Sequence, residues 1–309
     1  MTSDPHRDPT RAEFVYDEFG YFDENAAEWE LPFSGPPTVS RVAVALPDGR
    51  SIRALRWGSA PPEVVFVHGG AQNAHTWDTV NLALARNTLC VDLPGHGHSD
   101  WHPEQDYHPH QLADDVAVAV AALAPAAGLV VGMSLGGMTS NALAARHPQL
   151  VQRLLIVDVT PGTTAEKAKH ITDFVNGPQT FPSFAEILAR TMQFNPTRSE
   201  SSLRRGIVHN AHRLADGSWA WNYDRERRRE RTEVARSELW ADVEATAQPY
   251  LLVRGMAEGT VVDDADVAEL LRRRPDAAVV EVQGAGHSVQ GDQPLVLAEL
   301  IERHLTTPL

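Results

Sequence analysis

The chain of 309 residues has a single cysteine, Cys90. One cysteine excludes a disulfide within the chain and any CxxC redox or metal site. It points to a reducing compartment. No run of about 18 apolar residues occurs, so no membrane-spanning helix is expected. Residues 1–10 are polar and proline-bearing and lack the apolar core of a secretory signal. These absences lead to the expectation of a cytoplasmic protein. Positive charge is also scarce, with 27 Lys and Arg against 41 Asp and Glu and a formal net charge of −14. That sign opposes nucleic acid and anionic membranes as partners and says nothing about the substrate, for which a small molecule is expected. The one cationic run, 225–231, carries Glu226 and Glu230 among its arginines and reads as a solvated helix face.

What is present is an alternation of strand and helix. Residues 1–38 form an N-terminal arm rich in aromatics, among them Phe14, Tyr16, Tyr21, Phe22 and Trp29. That composition argues against a disordered tail and for packing on the domain or on a second subunit, so a homodimer is one expectation. Residues 42–46 and 52–57 flank the turn signal Pro47-Asp48-Gly49-Arg50 and read as two antiparallel strands. Short apolar runs at 64–67, 88–91, 129–133, 154–157 and 250–253 have the character of buried parallel strands. Helical spacing at 109–123, 138–146, 264–273 and 294–304 alternates with them, which implies βαβ units. The rhythm breaks over 162–248, which shows helical periodicity, several prolines and no convincing strand. The expected layout is an α/β core from 39–161 and 249–309, with a helical cap, 162–248, inserted over the carboxyl ends of the strands.

The chemistry concentrates in Gly132-Met133-Ser134-Leu135-Gly136. A strand precedes this G-x-S-x-G run and a helix follows it. A serine at such a sharp turn projects from the sheet edge, while the next N–H lies at a helix N-terminus. Ser134 needs a general base, and the base needs an orienting acid. Among 14 histidines, His287 in Gly284-Ala285-Gly286-His287 is placed on a small-residue loop between the last strand and the last helix. Asp158, directly after strand 154–157, is the preferred acid. Glu258, Asp263 and Asp264, after the next strand, stay open as alternatives, although Asp263 and Asp264 also suit a helix N-terminus. The Leu135 N–H and a donor from Val67-His68-Gly69-Gly70-Ala71 would form an oxyanion hole, with Gly70 ahead of Ala71. His68 reads as a structural histidine. The histidines and aspartates of 92–100 alternate with Gly and Pro and read as turn chemistry rather than a metal site; no metal and no cofactor are expected.

From about Val42 to His304 the chain resembles the α/β-hydrolases. The matching pieces are Val67-His68-Gly69-Gly70, Asp92-Leu93-Pro94-Gly95-His96-Gly97-His98-Ser99, Gly132-Met133-Ser134-Leu135-Gly136-Gly137 and Gly284-Ala285-Gly286-His287. Leu154 to Pro161, followed by Leu252-Val253-Arg254-Gly255, looks like the esterase branch in which the acid stands at the position of Asp158. The resemblance implies an α/β-hydrolase fold with a mostly parallel sheet, helices on both faces and a helical cap. It implies a serine esterase or lactonase, with cap aromatics Trp219, Trp221 and Tyr223 lining the substrate pocket. A serine at the elbow departs from the dehalogenase and epoxide hydrolase relatives, which use aspartate there. Diketone hydrolysis, cofactor-free haloperoxidation and ligand reception are the other activities that the resemblance leaves open.

Overall fold

The computed structural model describes residues 5–224 and 236–307; the arginine-rich run 225–231 lies outside the described residues. The core strands are β1 (Val39–Ala45), β2 (Ser51–Trp57), β3 (Val64–Val67), β4 (Thr88–Asp92), β5 (Leu129–Met133) and β6 (Leu154–Val157). Segment 162–248, the expected cap, carries the short strands β7 (Thr180–Phe181), β8 (Ala211–Arg213) and β9 (Trp219–Trp221), and the main sheet resumes with β10 (Tyr250–Gly255) and β11 (Ala278–Val282). Eight strands form one sheet in the order β1-β2-β4-β3-β5-β6-β10-β11. From β4 through β11 all neighbours are parallel, whereas β2 runs antiparallel to both β1 and β4. This is the α/β-hydrolase fold.

Alternate residues of the parallel strands face opposite sides, as a period of two requires. Val65, Val67, Val91, Val130 and Ile156 join one core cluster, and Val64, Phe66, Val131, Leu155 and Val157 join the other. Because helices cover both faces, the strands carry no polar alternation. On the first side lie the helices Pro109–Leu123 and Leu135–Arg146, on the second Asp78–Leu84 and Pro294–Thr306. Cys90 is wholly buried, and burial raises its thiol pKa. Among the described residues no helix is long and apolar enough to cross a membrane.

The sheet order fixes where a site can form. The chain passes from β3 outward to β4 and then returns to β5 on the other flank of β3. The carboxyl ends of β3 and β5 therefore diverge into loops on a crevice, with Val67 paired to Gly132. Such a switch point is where ligands bind in open α/β sheets.

Segment 162–248 differs from its sequence reading in two ways. It contains strands: β9 is paired antiparallel with both β7 and β8. These strands are only two or three residues long, too short for a visible period. In addition, the helix Arg236–Ala245 sends Trp240 and Val243 into the main core with Ala142 and Leu143. This helix is a layer of the core by its packing.

The arm straps the two parts together. In the helix Phe22–Glu28, Phe22 enters the core beside Trp57, with ring centroids 4.9 Å apart. Its neighbour Tyr21 joins the cap cluster with Phe184, Ile207 and Trp219. Glu24 and Glu28 pair with Arg204 and Arg205 of the cap helix Glu200–Asn210. Truncation of Phe22 removes a core ring and loosens this strap. Phe22→Ala should cost about 3–4 kcal/mol in urea unfolding, and a loss under about 1 kcal/mol would show the arm to be dispensable.

Candidate active site

The β5-to-helix turn is a backbone construction. Ser134 has φ 53° and ψ −120°, a region that costs a non-glycine residue about 1–3 kcal/mol. The packing around it holds that strain. A Cβ on Gly136 would lie 2.2 Å from the Val67 carbonyl oxygen and 2.4 Å from that of His68. A Cβ on Gly132 would lie 2.4 Å from the Gly136 oxygen. Glycine at both places lets helix Leu135–Arg146 start directly against the end of β3, with the serine at the apex.

Asp158 follows β6 with φ 46° and is wholly buried. Its Oδ1 accepts the Gly255 N–H at 3.0 Å and the Thr260 hydroxyl at 2.6 Å. Its Oδ2 accepts the Val261 N–H at 3.1 Å and lies 2.9 Å from His287 Nδ1. An ionised carboxylate only accepts, so Nδ1 carries the proton and Nε2 keeps its lone pair. The other three candidate acids are placed differently. Glu258 is exposed. Asp263 caps the helix Asp264–Arg273 in a capping box with Asp266 and pairs with Lys167. Asp264 pairs with Arg254 at 2.6 Å.

Ser134, Leu135, Gly70 and His287 line one cavity of about 420 Å³. Among the described residues the Leu135 and Gly70 N–H groups have no hydrogen-bond acceptor. Two unspent N–H groups beside a serine can receive a developing oxyanion. The loop that carries Gly70 is pinned from both sides. His68 Nδ1 lies 2.7 Å from the Gly69 oxygen, and its Nε2 accepts the Leu93 N–H at 3.0 Å. Burial lowers the His68 pKa, so the ring stays neutral. From the cap, Asn210 Nδ2 donates to the Ala71 oxygen at 2.7 Å.

The cap aromatics fall elsewhere. Trp219 contacts Phe14 and Phe184, and Tyr223 stacks on Trp221, within the cap's own apolar cluster. Neither lines the cavity at Ser134, and Trp221 borders a second cavity instead. The apolar wall at Ser134 is made by Leu135, Val159, Ile171, Val175 and Val261. Opposite in character, Tyr107 donates to Asp224 Oδ2 at 2.7 Å in the same cavity. Apart from Leu135, sequence reasoning did not assign these residues to the site, because none belongs to the serine, histidine or glycine motifs.

The Asp92 carboxylate of segment 92–100 is saturated by protein groups. It accepts from the Ala74 and His98 N–H groups and from Arg41 Nη1 at 2.7 Å. Burial opposes its ionisation, but Arg41 and these donors hold it below its ordinary value. A different trio, His75, Asp78 and His209, brings three ligand-type atoms within 4.8 Å. The two imidazoles stack 3.9 Å apart at 10°. Ring-nitrogen lone pairs lie in the ring plane, so two parallel rings at that spacing cannot ligate one ion as arranged. The trio instead joins the arm, core and cap. Tyr16 Oη lies 2.8 Å from His209 Nδ1, His75 Nδ1 lies 2.9 Å from Asp78 Oδ2, and His75 Nε2 lies 3.3 Å from Glu18.

Comparison with known proteins bears on the fold and the family. A family model described as alpha/beta hydrolase fold matches residues 62–294. Esterase Rv0045c of Mycobacterium tuberculosis is 45% identical over 300 residues, covering 94% of this chain and 96% of that protein. Its crystal structure superposes with a TM-score of 0.82 at 44% identity, covering 94% of this chain and 99% of that one. The 2-(acetamidomethylene)succinate hydrolase of Mesorhizobium japonicum is 29% identical over 256 residues, covering 82% of this chain and 91% of that protein.

Burial alone would lower the His75 pKa, but Asp78 and Glu18 raise it to about 9. A raised folded pKa stabilises fully below the unfolded value of about 6.5. That stabilisation is lost as pH rises toward 9. The melting temperature should therefore fall between about pH 6.5 and 9, and fall less in His75→Gln. Equal slopes in the two proteins would remove His75 as the cause.

Proposed function

The chain belongs to the α/β-hydrolase family, and from that premise we propose that it is a cofactor-independent serine hydrolase that cleaves a carboxylic ester or lactone through an acyl-enzyme. The esterase relative supports ester hydrolysis as the reaction class. The observation that carries the finer reading is the shared cavity. In it a serine in a strained turn, a histidine backed by a buried carboxylate and two unpartnered N–H groups stand around one space.

In this reading His287 Nε2 takes the Ser134 proton as Oγ attacks the carbonyl carbon. The charge that develops on the carbonyl oxygen is received by the Leu135 and Gly70 N–H groups, each worth about 3 kcal/mol of barrier. The imidazolium is stabilised by Asp158, whose other three hydrogen bonds keep it oriented. Collapse expels the alkoxide, which takes the proton from His287. A water then loses a proton to His287 and attacks the acyl carbon, and the acid leaves as His287 returns that proton to Ser134 Oγ. With a lactone the alkoxide stays tethered, so a single hydroxy acid results.

The cavity supports a substrate with a sizeable apolar group, because Ile171, Val175, Val159 and Val261 line it. The proposed setting is the cytoplasm, with a small molecule as the partner.

Ser134→Ala should abolish labelling by a fluorophosphonate probe, and continued labelling would sink the nucleophile assignment. Asp158→Asn should lower kcat on the order of 10⁴-fold on a 4-nitrophenyl ester, whereas Glu258→Gln should stay within about twofold of the parent. The reverse order would move the acid to the later loop.

A further inference from the structure

Beside the Ser134 cavity lies a second one of about 170 Å³, between arm, cap and core. The two share their dividing segments. Gly70, Val175 and His287 line the first, and their near neighbours Gln72, Phe174 and Ser288 line the second. The two cavities are thus walled by neighbouring stretches of the same three segments.

Arg198 faces the second cavity, directly before the N-cap Ser199 of helix Glu200–Asn210. Among the described residues no carboxylate lies within 4.0 Å of its guanidinium, which donates only to the Ser202 hydroxyl through Nη2. Its Nε is buried without a partner. On the following turns Arg204 and Arg205 are each paired with an arm glutamate. Asp292 and Glu28 act on Arg198 electrostatically, but each makes its hydrogen bonds to other groups. Glu28 holds Arg205 and Ser199, and Asp292 accepts the Gly286 N–H at 2.9 Å. Asp78, also in the wall, is engaged by His75. A Cβ on Gly291 would sit 2.6 Å from Arg198 Nη1, so the guanidinium lies against the loop that carries His287.

Arg198 is half-buried, with its Nε buried and unpartnered, and an anion that enters beside it supplies the missing acceptor. One guanidinium fork matches one carboxylate. We propose that the second cavity binds a carboxylate on the substrate through Arg198, which makes the preferred substrate an ester with an apolar group at one end and an acid at the other. The inference rests on the serine-ester reading of Ser134. A charge-assisted contact of this kind corresponds to about 10- to 100-fold in binding.

The test uses two matched ester pairs followed by pH-stat. Ethyl hydrogen glutarate against ethyl pentanoate places the acid on the acyl side; 4-butyryloxybutanoate against butyl butyrate places it on the alcohol side. The parent enzyme should prefer the acidic member of at least one pair in kcat/KM. In Arg198→Met that preference should fall about 10- to 100-fold, mainly through KM, and Arg198→Lys should keep part of it. Glutarate should also inhibit neutral-ester turnover by the parent competitively, and far more strongly than pentanamide; this measurement needs no variant to fold. No preference in the parent, or equal losses on both members of each pair in Arg198→Met, would overturn the proposal. Neutral-ester turnover that survives Ser134→Ala would instead overturn the serine reading itself.

Discussion

The approach of Gly136 to the Val67 and His68 carbonyls is the contact on which the rest of the site depends. No residue with a Cβ fits there, since that atom would stand 2.2 Å from a backbone oxygen. The approach brings the first turn of a helix onto the end of β3. It places the Leu135 N–H beside the loop of Gly70, and it forces Ser134 into a left-handed φ. A non-glycine residue keeps such a conformation only where its surroundings over-determine it. Here the sheet pairing of β5 on both sides does so.

A second layer of constraint acts on the carboxylate. Asp158 is wholly buried, and four hydrogen bonds, three of them unrelated to His287, fix its two oxygens. The acid is therefore fixed by β10 and the loop after it as much as by its own strand. Glu258, Asp263 and Asp264 surround that loop but serve its exterior. Arm and cap complete the enclosure. Asn210 reaches the oxyanion loop from the cap, and Glu24 and Glu28 fasten the arm across the same cap helix. One consequence is that the cavities at Ser134 and at Arg198 have walls from parts of the chain far apart in sequence.

The core was readable because its signals are local and strong. The helices Pro109–Leu123 and Asp264–Arg273 and the strands Val64–Val67, Leu129–Met133 and Leu154–Val157 coincide with their sequence patterns. The helix Phe22–Glu28 and the cap strands were not readable, because the helix is only about two turns long and the two- and three-residue strands lack the unbroken apolar run that marks the buried parallel strands. Trp219 and Tyr223 show the limit of reading aromatics. Their size and spacing fit a pocket or a core equally well, and the pairing of β9 turned them into the cap's own packing.

By itself the sequence determined the sheet alternation, the glycines of the elbow, the serine and the loop histidine, because each depends on residues adjacent in the chain. It also narrowed the acid to two strand ends. Only the tertiary structure decided which carboxylate meets His287, since that required β6, β10 and the His287 loop to converge. It alone decided which side chains line the cavity, and that among the described residues Arg198 has no carboxylate within ion-pair distance. Pocket walls and unpaired charges are defined by distances between remote segments, and no local pattern encodes those distances.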